Sequence, residues 1–295
     1  FMDGIINAPA DTGAMLTPYL QNSGTEKAPK WTPGKNLGEL YFPPQTLNPL
    51  LLRAVQAGLD PHLHATGERA VRASLDSVEY VRRQLPGSDF RPAIAHAESV
   101  DPADYPRFKA LDVTATMSFQ WAQQAPSTID GTHEHLGSAR FARMEPSGSI
   151  ANAGGRIAYG SDWPVDPLDE FLALKIGVTR AGDPLNPHSY GPEYAGKLNG
   201  DPALSRSEVL RAITLNAAQQ LKLEAVTGSL EVGKFADLIV LKRNFMQVPE
   251  AELGRNEVLL TVVGGKVVWA KAPFVGLDPQ ALPQASQASV TPTAQ

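Results

Sequence analysis

The sequence predicts an α/β fold of the (β/α)8 TIM-barrel type, followed by a short β-rich segment. Three observations predict it. The motifs His62-Leu63-His64-Ala65, His96-Ala97-Glu98 and Gly160-Ser161-Asp162-Trp163-Pro164 each close a strand-like stretch. His64 lies 32 residues before His96, and His96 lies 66 before Asp162. One strand-plus-helix unit of such a barrel takes roughly 30 residues, so these spacings read as one unit and then two. Between the motifs, helical and strand-like patterns alternate. Barrel strands carry active-site groups at their C-terminal ends, so the three side chains would meet at one mouth. Two imidazoles and a carboxylate are what zinc or another first-row divalent ion needs.

Each element follows in turn. Residues 1 to about 49 are rich in Gly, Pro and Asn and read as a long loop, with turn signals at Asp3-Gly4 and Pro33-Gly34. Over a barrel mouth, Tyr19, Trp31, Tyr41 and Phe42 would either line a substrate pocket or anchor the loop. A helix-like segment over Leu47–Ala57 leads to a strand ending near His64. Glu68 to Gln84 is an amphipathic helix with Val71, Leu75, Val78 and Val81 on one stripe, stopped by Gly87. Pro92–Ala95 is strand-like and leads to His96, Pro102–Leu111 suits a short helix, and Val113–Phe119 is a β-branched strand. Residues 122–149 read as a polar loop holding His133, His135, Arg140 and Arg143. Arg156–Tyr159 is the strand that delivers Asp162, and Ser207 is read as the N-cap of a helix over Glu208–Leu221. From Gly228 the pattern changes to short strands, Ala236–Leu241 and Leu259–Val263, with Gly264-Gly265 turning into Lys266–Trp269. The expected division is 1–227, 228–275 and a flexible tail over 276–295 of Ala, Gln, Ser and Pro.

Composition narrows the classes. An apolar fraction of 42% suits a globular core, and a net charge of −5 without a basic stripe argues against a nucleic-acid partner. The apolar runs are too short to span a membrane, so no membrane partner is expected. With no cysteine, disulfides and thiolate metal sites are excluded, and the compartment stays open.

For the site, His64 alone would be a packed core histidine; its spacing from His96 and Asp162 makes it a metal ligand candidate, and His96 with it. Asp162 follows Tyr159-Gly160-Ser161, where a carboxylate has little structural reason to stand, a helix N-cap being the alternative. His62 shares the strand parity of His64 and is read as a support or packing residue. Glu98 stands two residues past His96 and is read as orienting a neighbouring ligand. Trp163 and Asp166, in the loop past the fourth strand, are candidates for shaping the pocket. His133-Glu134-His135 has ligand-like spacing, but such loop pairs are usually solvated. His188, after Asn186-Pro187, is a further candidate for the pocket lining, without a specific context. Charge then suggests the chemistry: a divalent ion activates water and polarises a carbonyl, and Asp162 moves the proton from the water to a departing amine.

These residues resemble the C-terminal half of the metal-dependent amidohydrolases, in the YtcJ-like branch called amidohydrolase family 3. The resemblance rests on Asp3-Gly4, His64-Ala65-Thr66-Gly67-Glu68-Arg69-Ala70, His96-Ala97-Glu98, Gly160-Ser161-Asp162-Trp163-Pro164-Val165, Thr214-Leu215-Asn216-Ala217-Ala218, and the run Gly228 to Leu238. It implies that His64 lies on barrel strand 5, His96 on strand 6 and Asp162 on strand 8, and that Gln120 and Trp121, past strand 7, contact the substrate. It implies a hydrolase of non-peptide C–N bonds, such as amide, N-formyl or carbamate groups, with one or two divalent ions, zinc above all. Ester hydrolysis or decarboxylation on the same scaffold, and a non-catalytic scaffold protein, are the rival readings. Family members begin with a small β-domain, followed by a strand-1 His-x-His and a strand-4 lysine that is often carboxylated, none of which this chain has; in relatives the strands of 228–275 return to complete that small β-sandwich. His62 and His64 cannot be that strand-1 pair, because only about 100 residues separate them from Asp162, too few for seven strands. The expectation is therefore a piece of a longer protein, not competent as an enzyme by itself. Its partners would be a small-molecule substrate, the N-terminal half of the same protein, and possible further copies in a homo-oligomer. Phe1 is expected to be partly buried within a barrel strand.

Overall fold

The computed structural model describes residues 1–279. A flexible tail was expected over 276–295; its residues 280–295 lie outside the described part.

The long N-terminal segment carries a small antiparallel hairpin, β1 (Leu20–Asn22) with β2 (Trp31–Pro33). Strands of three residues are too short to show a sequence period. Helix α1 (Pro44–Gln56) begins with proline in its first turn, where the missing N–H costs nothing, and buries Leu47, Leu51 and Val55 at helical spacing. Then strands and helices alternate: β3 (His62–Ala65), α2 (Glu68–Gln84), β4 (Ala93–His96), α3 (Tyr105–Ala110) and β5 (Thr114–Met117). Four short helices follow, α4 (Pro126–Ile129), α5 (Thr132–Leu136), α6 (Ser138–Phe141) and α7 (Ser147–Asn152), before β6 (Arg156–Tyr159). The segment read as a polar loop is thus helical in pieces of four to six residues, each too short for a periodic signature.

Strands β3, β4, β5 and β6 form one parallel sheet in that order. Parallel neighbours need a crossover between them, and α2 and α3 supply two of these. Ala65, Ile94, Ala115 and Ile157 from the sheet share one buried cluster with Val71, Leu75 and Val78 of α2 and Phe108 of α3. All four strands therefore end on the same side, where the polar motifs lie.

Helix α8 (Glu170–Thr179) has no counterpart in the sequence reading. It buries Leu172, Ala173, Leu174, Lys175 and Ile176 on successive faces, so it has no polar stripe to reveal it. Helices α9 (Arg206–Ile213) and α10 (Leu215–Gln220) replace the single helix expected over Glu208–Leu221, with Thr214 at φ −121°, ψ −94° breaking the run. The N-cap is Ser205, not Ser207: its hydroxyl accepts the Glu208 N–H at 3.2 Å while Glu208 Oε2 accepts the Ser205 N–H at 2.7 Å. Only Ser205 stands three residues before a glutamate, as this reciprocal cap requires. The chain finishes in a three-stranded antiparallel sheet, β7 (Leu238–Leu241), β8 (Val258–Val263) and β9 (Lys266–Ala270).

The burial expected of Phe1 itself is not found. Phe1 is 82% exposed, whereas Met2 is 1% exposed. Met2 donates its N–H to the His64 carbonyl at 2.8 Å, so it runs beside β3 and takes the buried position itself. No helix among the described residues is long and apolar enough to cross a membrane.

Candidate active site

The end of β3 is built around a carboxylate 61 residues upstream. Asp3 is 1% exposed and accepts from the N–H groups of Ala14 (2.8 Å), Thr66 (3.0 Å) and Gly67 (2.9 Å) and from the Thr66 hydroxyl (3.1 Å). A side chain at Gly67 would put its Cβ 2.3 Å from the Ala14 carbonyl oxygen, so only glycine lets the two segments meet. The run His64-Ala65-Thr66-Gly67 thus hands over from strand to helix on a buried anion at the positive end of α2. Asp3 Oδ1 is 3.5 Å from His64 Nδ1, beside the ring and too far for a good hydrogen bond.

His96 reaches the cavity by breaking the pleat. On a regular strand it would share the face of Ile94, which is buried in the core cluster. Instead its φ is +74°, and Ala97 follows at +47°. Its ring then lies 4.6 Å from the ring of His64, edge to face. Asp162 (φ +56°) and Glu145 (φ +52°) are also left-handed. Such residues cost on the order of 1–3 kcal/mol each and persist where the surroundings hold them, most often at functional sites.

These groups line one cavity of about 520 Å³. His64, His96, Asp162, Glu98, Gln120, Trp121 and Asp166 all belong to its wall. Trp121 stacks on His96 at 5.1 Å, and its indole N–H donates to Asp166. Gln120 donates to the Ser161 carbonyl at 2.7 Å. His62 and Trp163 are not in the wall. His62 is exposed, its Nδ1 3.1 Å from Gln220 Nε2, and Trp163 is 64% exposed. Tyr19, Trp31, Tyr41 and Phe42 also stay out. Tyr19 is buried, with its hydroxyl on the Gly13 carbonyl, and so anchors the loop. Phe1, Tyr159 and Tyr190 supply the aromatic surface instead.

The electrostatics are those of a water-poor site. Burial first, and then the imidazoles of His64 and His62, push the His96 ring down to about 4. Burial, with Asp3 and Asp162 nearby, pushes Glu98 up to about 8. Glu145 is raised by burial and then by Glu98. Asp162 is raised by burial, against the pull of His64.

The donor set fits a metal in part. Nδ1 of His64 and Nδ1 of His96 are buried and have no hydrogen-bond partner, which is costly unless something else takes the lone pair or proton. Imidazoles with no partner from the protein suit a divalent ion. Yet among the described residues no three His, Asp or Glu side chains are gathered closely enough to hold one. Asp162 is exposed, on the open side of the same cavity, while the two imidazoles converge deeper. His133 and His135 lie elsewhere on α5, and His135 is already bound to Asp11 at 2.5 Å.

Two residues of the site escape the sequence reading in their roles, Glu145 in the wall and Asp3 outside it. Asp3 was read as a turn residue and as part of the family motif, and its partners are far along the chain. Glu145 follows a stretch with no readable period. His188 stands in the wall, its Nδ1 3.0 Å from Asp169 Oδ2.

Comparison with known proteins decides the family. The amidohydrolase family profile matches residues 4–269. The chain belongs to the amidohydrolase family. Its relatives include Protein LONG AFTER FAR-RED 3 of Arabidopsis thaliana, 28% identical over 79% of this chain and 38% of that protein. The N-substituted formamide deformylase of Arthrobacter pascens is 28% identical over 78% of this chain and 40% of the enzyme. The chain spans about two fifths of the length of these relatives. An uncharacterized metal-dependent hydrolase from Pyrococcus horikoshii superposes with a TM-score of 0.65 at 23% identity, over 85% of this chain and 45% of that one. That likeness supports the α/β fold with its parallel sheet.

Proposed function

We propose that this chain forms the C-terminal half of a hydrolase of non-peptide C–N bonds, acting on N-acyl or N-formyl amines. In this reading β3 to β6 are strands 5 to 8 of a (β/α)8 barrel, residues 1–227 belong to that barrel, and 228–275 contribute strands to a small β-sandwich. An N-terminal half of the same protein supplies the remaining strands and ligands. The observation that carries the reading is the pair of converging imidazoles, His64 and His96, with unbonded buried nitrogens in the main cavity. The deformylase relative supports the bond type.

His64 and His96 would hold a divalent ion, zinc in our reading because the donors are imidazole and carboxylate without thiolate, with Asp162 as its further contact. Such an ion supplies Lewis acidity toward the scissile carbonyl and makes the attacking water more acidic. Trp121 stacks behind His96 and fixes its ring plane. Asp162 takes the proton of the attacking water and delivers it to the departing nitrogen, which must be protonated to leave. Glu98 stands behind the imidazoles, and Gln120, Trp121 and Asp166 form the substrate wall. Trp163 is kept as a rim contact and His62 as a packing residue.

The test is turnover of an N-formylbenzylamine by the full-length protein, with released formate and amine measured before and after removal of divalent metal by a chelator. Equimolar formate and amine, lost with the metal and restored by zinc, support the reading. Metal-independent release, or hydrolysis confined to the corresponding ester, would overturn it.

A further inference from the structure

One part of the main cavity wall is built with care and has no role in the chemistry above. His188 and Asp169 both line the cavity, with His188 Nδ1 3.0 Å from Asp169 Oδ2. Asp169 is fixed in its turn. Its Oδ1 accepts the Leu172 N–H at 3.1 Å and caps helix α8, and its Oδ2 also accepts the Asn186 amide at 2.9 Å. Asn186 is 7% exposed and uses both ends of its side chain. Its Nδ2 donates to Asp169 and to the Gly254 carbonyl at 3.0 Å, and its Oδ1 accepts the His188 N–H at 2.8 Å. The residue after His188 is held as well. The Ser189 hydroxyl accepts the Asp183 N–H at 3.0 Å and donates to Gln123 Oε1 at 3.3 Å.

Asn186 and Ser189 already brace this loop, so the Asp169 contact fixes the imidazole ring rather than the backbone. A carboxylate that holds one ring nitrogen decides what the other can do. It only accepts, so the proton of the neutral ring sits on Nδ1 and Nε2 is left as a lone-pair acceptor. Among the described residues no group donates to that nitrogen, and the side chain is 44% exposed. Depth in the cavity indicates which part of a substrate meets it. The rings of His64 and His96 converge deep in the site, where the carbonyl is polarised. Asp162, which protonates the departing nitrogen, is exposed at the open side, and His188 is exposed in the same wall. The nitrogen side of a bound amide therefore lies toward His188.

We propose that His188 Nε2 accepts the N–H of the scissile amide, and that the site therefore selects secondary amides and formamides over N,N-disubstituted ones. The proposal rests on the hydrolase reading above and adds to it a specificity-determining residue and a substrate class. An N–H held by His188 fixes the plane of the amide. The nitrogen lone pair stands across that plane and is left for the proton from Asp162. An N-alkyl group in place of the hydrogen offers the imidazole nothing, and it covers an acceptor that then has neither water nor substrate to meet it. A site built for a donor discriminates against the analogue that lacks it. His188 is only half covered, so the factor expected here is that of one neutral hydrogen bond and not the far larger one of a fully buried group.

The experiment compares N-formylbenzylamine with N-formyl-N-methylbenzylamine on the metal-loaded full-length protein, as wild type, His188→Leu and His188→Gln. In the wild type kcat/KM should be higher for the N–H compound by about tenfold, which corresponds to about 1.4 kcal/mol. His188→Leu keeps an apolar side chain in place of the ring but removes the acceptor. It should bring the ratio below about threefold by slowing the N–H compound alone. His188→Gln offers an amide oxygen as acceptor and should keep most of the ratio. A ratio that survives His188→Leu would mean selection by bulk and would overturn the proposal. Equal rates in the wild type, or an equal collapse in His188→Gln, would overturn it too. If neither compound is hydrolysed, the hydrolase reading fails and the two become plain ligands. Calorimetry then reads the inference separately: tighter binding of the N–H compound by the wild type, lost in His188→Leu, supports it, and equal affinities or no binding defeat it.

Discussion

Two pairs of histidines stand in this chain, and only one resembles an active site. His133 and His135 sit two residues apart on α5. Their spacing looks like a ligand motif, but His135 is bound to Asp11 and packs near Trp31, while His133 lies against Phe141. His64 and His96 are 32 residues apart in sequence and come from different strands, yet their rings lie 4.6 Å from each other. Their Nδ1 atoms are buried and unanswered. The difference teaches that unmet bonding at the end of a parallel sheet marks a reactive imidazole better than close spacing does. In the first pair the protein satisfies its own histidine. In the second it leaves the nitrogens open and bends the backbone to bring them together.

The comparison can be broken at several points. The largest effect is expected for Asp162→Asn, which keeps the shape and removes the proton shuttle. Turnover of the metal-loaded full-length protein should fall on the order of 10²–10⁴-fold, with the unfolding midpoint little changed. Near wild-type kcat with metal content unchanged would remove Asp162 from the mechanism. Next comes His96→Asn. Its zinc affinity, measured by competition with a chelator, should fall by more than the roughly 10–100-fold typical of losing a supporting residue around a metal. His135→Asn should leave that affinity untouched, and equal losses in the two variants would erase the distinction between the pairs.

Smaller effects concern stability. Asp3→Ala leaves buried N–H groups of Ala14, Thr66 and Gly67 without their acceptor, so denaturant unfolding should show a loss on the order of 1–3 kcal/mol or more. An unchanged midpoint would show that Asp3 does not organise the end of β3. His135→Asn removes the part-buried hydrogen bond between its ring and Asp11 and should cost about 1 kcal/mol. A larger loss would mean that this pair, too, carries part of the fold.

The same contrast explains what was legible in the sequence. Helix α2 could be read to its ends, Glu68 and Gln84, because Val71, Leu75, Val78 and Val81 repeat over 17 residues. The ends of β3, β4 and β6 were marked by polar motifs that interrupt apolar runs. Helix α8 was hidden because it is buried on all sides and shows no stripe. The short helices α4 to α7 lack the length for a period. In the site, His64, His96, Asp162, Glu98, Gln120, Trp121 and Asp166 were named from sequence and stand in one cavity wall. His62 shares the strand parity of His64 but stays outside that wall, because parity fixes a face of the sheet and not a distance along it. Asp3 and Glu145 were missed, since their importance lies in contacts between distant segments that no local pattern records.

The central claim is that His64 and His96 together hold a metal. Anomalous diffraction at the zinc edge from crystals of the zinc-loaded full-length protein tests it most directly. The account predicts a peak in the main cavity with a ring nitrogen of each of the two histidines about 2.0–2.1 Å away. A map with no peak there, with both ring nitrogens of His64 or His96 hydrogen-bonded to protein, or with zinc held by His133 and His135 instead, would contradict it.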